Sequence, residues 1–330
     1  MSASLEDMFV LAKSALAHWH QTTSEPSLVM HRENTVFRVE TKTGPAALRL
    51  HRADYHSRAA IRSELDWMAY LMKNGFMVPA PLPTRNGDLA VELADATGTL
   101  RVIDLLTWLD GEPLGASYQP FTRPPLQTCA IFHNIGAKLA KLHTLSDQWA
   151  LPQNFKRHAW DRNGLIGDNP FWGPFWSITD ISSQATSMLL LIRDRVRQDL
   201  DDRMAGGLDY GLIHADLARE NVLVAGTDVR MIDFDDSGFG FRMFDIATAL
   251  IKNRSEPNYR EIEAALIAGY QSQRALSRLE IESRPLFTLL RSLTYLGWAE
   301  TRKHEPGMEY RRRRFVTEAL ELCQAYLDAG

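Results

Sequence analysis

The sequence predicts an α+β chain in two lobes: a small antiparallel-sheet lobe over residues 1–109 and a mainly helical lobe over 110–330. Three observations predict it. Apolar and polar residues alternate over Asn34–Thr41 and Pro45–His51, the period of two that sets one face of a strand on a core. The pattern switches to helical spacing over Ser57–Met72 and back to strands over Leu89–Leu93 and Leu100–Thr107. From Pro113 onward helical spacing dominates, over Leu126–Leu145, Ser177–Met204, Tyr259–Gln273, Arg284–Lys303 and Met308–Leu327. With 330 residues, 45% of them apolar, the chain is long enough for each lobe to bury its own core.

Taken in order, Leu5–His20 has the apolar spacing of a leader helix, and Lys42-Thr43-Gly44 is the turn of the first hairpin. Thr107–Glu112 leaves the last strand of the small lobe through a turn at Gly111. Trp149–Trp176, rich in Trp, Pro, Gly and Asn, lacks periodicity and reads as a long loop. Its aromatic residues Trp160, Phe171, Trp172, Phe175 and Trp176 either roof an acceptor site or anchor the loop on helices. Tyr210–Ile213, Val222–Val224 and Val229–Ile232 are short strand patterns. Asp245 opens a further apolar helix, either as its N-cap or as an acceptor for nearby loop amides.

Composition narrows the function class. Lys and Arg number 37 against 41 Asp and Glu, a net charge of −4, so no sequence-independent attraction to nucleic acid or to an anionic membrane is expected. The start of the chain, Met1 to Met8, lacks the cationic opening of a signal peptide, and no uncharged apolar run approaches a membrane span. The two cysteines, Cys129 and Cys323, are too few for a disulfide framework. A cytoplasmic location is expected.

The segment His214-Ala215-Asp216-Leu217-Ala218-Arg219-Glu220-Asn221 carries most of the chemistry, and Asp233 follows twelve residues later at the end of an apolar run. A carboxylate, a carboxamide and a second carboxylate carried between short strands are the equipment of phosphoryl transfer. Such a reaction needs positioning and charge neutralisation more than covalent help. In that reading Asp216 takes the proton of an acceptor hydroxyl, and Asn221 and Asp233 hold Mg2+ against the phosphates of ATP. His214 is either a catalytic partner or a brace for the loop.

With these residues, Ile232–Asp236, Phe244–Ala247, Leu139–His143 and the aromatic helix around Leu290–Trp298, the chain resembles the aminoglycoside phosphotransferase and choline kinase-like family. That group also includes homoserine kinase type II and the bacterial stress-response Ser/Thr kinases. The resemblance implies a protein-kinase-like fold with ATP between the lobes. It assigns Arg49 to the ATP phosphates, with Glu64 on the following helix as its pairing carboxylate. Arg49 as an ordinary strand residue is the alternative. No G-x-G-x-x-G is present, and Glu33, Asn34 and Thr35 at the hairpin entry are candidate substitutes for its donors. The backbone around Trp108 and Leu109 is the candidate adenine clamp, and Asp235 is a second candidate beside the metal.

Family members usually carry His or Lys two residues after the base. This chain has Ala218 there and Arg219 next, and Arg219 would suit a carboxylate-bearing acceptor. Three functions remain open at this point. The first is a kinase for a small hydroxylated molecule such as an amino acid, amino alcohol or aminoglycoside, favoured because no long activation segment follows Asp233. The others are a protein Ser/Thr kinase and a non-catalytic nucleotide-binding protein. Oligomeric state is not legible.

Overall fold

The computed structural model describes residues 4–20, 23–32 and 34–329. They fall into two compact units, one formed by residues 1–111, 149–157 and 230–235, the other by 112–148, 158–229 and 236–330.

In the smaller unit, helix α1 (Leu5–Leu16) starts at a capping box in which Ser4 and Asp7 satisfy each other's backbone amides. Strands β1 (Ser27–His31), β2 (Thr35–Thr41) and β3 (Gly44–Leu50) precede helix α2 (Arg58–Lys73), and β4 (Ala90–Ala94) and β5 (Leu100–Thr107) follow it. They form one sheet in the order β1-β2-β3-β5-β4, and each pairing for which the register is known is antiparallel. β1 has no counterpart among the predicted strands. All five of its residues are exposed at the sheet edge, so it carries no alternation to read.

Alternation decides what each face of this sheet does. Phe37, Val39, Ala46, Leu48, Leu50, Ile103 and Leu105 point to one face and pack against Met8, Leu11, Ala12, Ala15 and Leu16 of α1. Arg49 and Asp104, one step out of phase and directly paired in register, therefore point to the other face. Helix α2 turns Ile61, Glu64, Leu65, Met68 and Leu71 inward at helical spacing, which brings a carboxylate to that polar face.

The larger unit runs through β6 (Glu112–Pro113), α3 (Pro125–Asp147), β7 (Ala159–Trp160), α4 (Arg162–Ile166), α5 (Ser183–Ala205), β8 (Tyr210–Ile213) and β9 (Val222–Ala225). Strand β10 (Asp228–Met231) carries the chain into the segment 230–235. Then come β11 (Gly238–Phe241), α6 (Arg242–Ile251), α7 (Tyr259–Gln271), α8 (Arg278–Glu282), α9 (Arg284–Thr301) and α10 (Met308–Asp328). β8 pairs antiparallel with β11, and β9 pairs with β6, so the two strands that flank His214–Asn221 belong to different sheets.

α3 and α7 cross closely. A Cβ on Gly136 would lie 2.0 Å from the Leu266 carbonyl oxygen, and one on Gly269 would lie 1.9 Å from that of His133. Only glycine lets those backbones approach.

Two expectations for this region are corrected. α5 begins at Ser183, where the Ser182 hydroxyl caps the Ala185 amide, and Ser177 closes a separate 3-10 turn. The stretch 149–176 is not one loop: it contains β7 and α4, and Trp160 is fully buried against Phe244 and Trp172, which makes it an anchor. Among the described residues no helix is long and apolar enough to cross a membrane.

Candidate active site

β8 delivers its chain into a tight loop whose second residue, Ala215, has a φ of 65°. A left-handed conformation costs a non-glycine residue about 1–2 kcal/mol, so the surroundings must enforce it. Asp245 does so. Its Oδ2 accepts from the His214 amide at 2.8 Å and its Oδ1 from the Ala215 amide at 2.6 Å. Helix α6 starts at Arg242 with Phe241 as N-cap, so Asp245 lies in its first turn and is the acceptor for loop amides, not the cap.

Asp245 and its neighbour His143 are both fully buried. His143 stands 3.0 Å from Asp245 through Nε2 and 2.8 Å from the Tyr270 hydroxyl through Nδ1. Burial, with Arg242 nearby, pushes the His143 imidazole down to about 4, so at neutral pH it is uncharged, donating from Nε2 and accepting at Nδ1. Burial alone would raise the Asp245 carboxyl, but its bonds to His143 and to the loop outweigh this and lower it.

This clamp aims Asp216. Asn221 donates from Nδ2 to both the Asp216 carbonyl, at 2.8 Å, and its Oδ2, at 3.0 Å. The other carboxylate oxygen, Oδ1, accepts from Nη2 of Arg291 at 2.7 Å. Arg291 is fully buried, its guanidinium 4.4 Å from the ring centre of Tyr295 and 4.6 Å from that of Trp172. Burial works against its charge, and Tyr295 and Asp216 beside it hold its pKa above the ordinary value. Asp216 itself keeps its side chain 25% exposed. The result is a carboxylate fixed at both oxygens yet open to a ligand.

His214 is buried, and its Nδ1 accepts from the Asp216 amide at 3.4 Å, a bracing geometry. Arg219 is buried too, and its nitrogens are committed elsewhere: Nε to Asn253 at 2.7 Å, Nη1 to the Gln119 carbonyl at 2.5 Å and Nη2 to Glu256 at 2.6 Å. It therefore does not reach an acceptor, contrary to the expectation from its place beside Asp216.

The smaller unit holds a second constellation. Arg49 donates to Asp104 through Nε at 2.9 Å and Nη2 at 2.8 Å, and to Glu64 through Nη1 at 2.9 Å. Three of its five N–H groups are used, leaving one on each terminal nitrogen. His51, two residues on and so on the same face, meets Asp104 at 2.6 Å and Asp235 at 3.5 Å. Burial would lower the His51 imidazolium, but Asp104 and Asp235 outweigh it and push it up to about 9.

Arg157 reaches Glu64 at 3.5 Å and donates to the carbonyls of Phe234 and Asp235, tying the segment 230–235 to α2. Three cations, Arg49, His51 and Arg157, thus balance three buried anions, Glu64, Asp104 and Asp235. Asp235 is buried inside this network, whereas Asp233 is exposed and held at a φ of 65°.

Asn34 commits its Oδ1 to the Arg52 amide at 3.0 Å, and Glu33 lies outside the described residues. The Trp108 amide donates to the Pro45 carbonyl at 3.0 Å while Arg38 lies 5.2 Å over its ring, and Leu109 is half-buried just beyond.

Among the described residues no group of three or more His, Cys, Asp or Glu side chains has a metal-holding form. In the larger unit the Asn221 Oδ1 is a hard oxygen donor, and in the smaller unit so is the exposed Asp233 carboxylate.

Arg291, Asp104, His51 and Arg157 were not singled out from sequence. Two of them left a signal: Asp104 interrupts the apolar strand Val102-Ile103-Asp104-Leu105, and Arg291 the apolar helix Leu289-Leu290-Arg291. A charge on a core face implies a partner.

Comparison with known proteins bears on the family and the fold. The family profile described as the phosphotransferase enzyme family matches residues 27–281. A solved microcompartment-associated aminopropanol kinase is 30% identical, covers 97% of this chain and 98% of its own, and superposes with a TM-score of 0.83. The choline kinase of Cryptosporidium parvum shares the fold at 18% identity and a TM-score of 0.65, covering 99% and 97% of the two chains. A homoserine kinase of Rhizobium johnstonii is 28% identical over 263 residues, 78% of this chain and 73% of that protein.

Proposed function

The chain belongs to the phosphotransferase enzyme family, a kinase of protein-kinase-like fold acting on a hydroxyl group, and we propose that Asp216 is its base and a small hydroxylated molecule its acceptor. The observation that carries this reading is the Asp216 carboxylate, fixed by Arg291 and Asn221 and open to a ligand. Each carboxylate oxygen has a second lone-pair direction, enough to accept a hydroxyl proton. As that proton passes to Asp216, the acceptor oxygen bonds to the γ-phosphorus. The bond to the β-phosphate oxygen breaks, and its electron pair leaves with ADP.

Asn221 Oδ1 and Asp233 would hold Mg2+, which when bound offsets phosphate charge. Arg49 presents its two remaining N–H groups to phosphate oxygens, with Glu64 and Asp104 setting its angle. Backbone from Leu109 onward is the part of the clamp left for a base edge, since the Thr107 and Trp108 amides are committed to the Ala80 and Pro45 carbonyls. His214 acts as a positioning residue.

A small acceptor is favoured over a protein because only residues 234–241, four of them in β11, separate Asp233 from α6, leaving little platform for a peptide. Relatives that act on aminopropanol and homoserine point the same way, to a short amino alcohol or hydroxy amino acid. ADP release from ATP and Mg2+, screened across such compounds and against protein acceptors, tests the reading. Turnover only with a protein acceptor would overturn it.

A further inference from the structure

We propose that Lys252, at the C-terminal end of α6, supplies the cation that neutralises the phosphoryl group in transit beside Asp216. The inference rests on the proposed function. A phosphoryl group in a loose transition state spreads negative charge over its equatorial oxygens and needs positive charge close by. The loop does not provide it: Ala218 is uncharged and buried, and Arg219 is bound to Asn253, Gln119 and Glu256 while stacked 3.8 Å over Phe121. Arg291 spends Nη2 on Asp216, and its Nε and Nη1, though without a hydrogen-bond partner, are fully buried under Trp172 and Tyr295, out of reach of a ligand.

Lys252 differs from both. Its ammonium lies 5.1 Å from the ring centre of Tyr295 and, among the described residues, has no hydrogen bond or ion pair. Glu220, a charged neighbour, commits one oxygen to the Ser117 amide at 2.6 Å and the other to the Ser117 hydroxyl at 2.8 Å. Burial opposes the ammonium charge, but Tyr295, Asp216 and Glu220 outweigh it and hold the pKa above its ordinary value, so the group is cationic at neutral pH.

The negative end of the α6 dipole accounts for a cation at this position. It does not account for three N–H donors with no acceptor among the described residues, on an ammonium that shares the Tyr295 ring with Arg291, the direct partner of Asp216. Anionic oxygens arriving beside Asp216 would satisfy them.

The test compares the full chain with Lys252→Met and Lys252→Arg. The first readout is calorimetric binding of ADP and Mg2+ with and without tetrafluoroaluminate, a mimic of the phosphoryl in transit. The second is acceptor-independent ATP hydrolysis. Fluoroaluminate is expected to tighten ADP binding in the parent chain. Lys252→Met is expected to lose most of that tightening, with ADP affinity alone nearly unchanged, and to slow hydrolysis by on the order of 10³-fold, as loss of a transition-state cation does. Lys252→Arg keeps the charge and is expected to keep most of both, which separates lost charge from lost folding.

Full fluoroaluminate tightening in Lys252→Met overturns the inference and leaves the proposed function standing. So does a Lys252→Met variant whose only defect is a raised KM for a hydroxylated acceptor, since that assigns the cation to the acceptor. A parent chain whose ADP binding fluoroaluminate does not tighten overturns the inference, and one that also turns over no small hydroxylated acceptor overturns the proposed function itself.

Discussion

At the scale of single residues, the chemistry turns on how Asp216 is held. Its two oxygens are bound by Arg291 and Asn221, so Asp216→Asn changes the chemistry of the site while leaving a side chain of the same shape. We expect kcat to fall by roughly 100-fold or more, the usual cost of removing a general base, with ADP affinity little changed. Asp233, exposed and pinned at its positive φ, is expected to act on the nucleotide side. Asp233→Ala should weaken ATP binding in the presence of Mg2+ and barely alter binding without it, measured by titrating Mg2+ at fixed ATP. An unchanged Mg2+ dependence would remove Asp233 from the metal site, and the buried engagement of Asp235 with His51 means that Asp235 would not replace it without breaking that network.

At the scale of elements, one short piece of backbone is held by a side chain from elsewhere in its own unit. The His214–Asp216 turn exists because Asp245 on α6 accepts two of its amides, and the strain at Ala215 is the counterpart of that clamp. Ala215→Gly removes the left-handed penalty and adds unfolded-state entropy, so the net change in stability is expected to stay within about 1 kcal/mol, with turnover retained. A loss of several kcal/mol in urea unfolding would show that the loop is shaped by something other than this clamp.

The β3 and α2 pair Arg49 and Glu64 is expected to behave as one unit. Arg49→Ala should raise KM for ATP, Glu64→Ala should raise it less, and the double variant should be little worse than Arg49→Ala. Additive losses would separate them.

Why some of this was legible in sequence follows from the same elements. Hairpin and helix periods report burial on one face, so β2, β3, α2 and β5 could be read. Arg49 and Glu64 were placed by the family resemblance, and the 2.9 Å bond between them shows that the two side chains do meet. β1 could not be read, since an exposed edge strand has no inward face. Arg219 was misjudged because sequence gives its neighbourhood to Asp216, whereas its actual partners, Asn253 and Glu256, come from over thirty residues away. Arg291 and Lys252 lie similarly far from the motif they serve, so the motif's spacing does not reach them, and the charge of Arg291 within an apolar helix says only that it has a partner, not which one.

At the scale of the whole molecule, the two units contribute opposite pH limits to stability. His51 is raised from 6.5 to about 9, so its contribution is complete below about 6.5 and is lost as pH rises through 9. The shift corresponds to a contribution on the order of 3 kcal/mol. His143 is lowered from 6.5 to about 4, so its uncharged form favours folding above about 6.5 and that contribution is lost as pH falls toward 4. Urea midpoints across pH 4 to 10 are expected to decline on both sides, with His51→Gln flattening only the alkaline limb and His143→Gln only the acid limb.

The family, the α+β fold and the kinase class were legible because they rest on a local motif and on periodicity. The division of the chain was less so: residues 149–157 and 230–235 join the smaller unit through Trp149 on Tyr70 and Phe234 on Trp67, contacts that no linear boundary expresses.

The central claim, that Asp216 accepts the proton of a small hydroxylated acceptor, is tested most directly by phosphorus NMR. The purified chain and Asp216→Asn would each be incubated with ATP, Mg2+ and a panel of amino alcohols and hydroxy amino acids. A new phosphomonoester signal is expected with the parent chain, and at least about 100-fold slower formation with Asp216→Asn; formation at the parent rate by the folded variant would show that Asp216 is not the base.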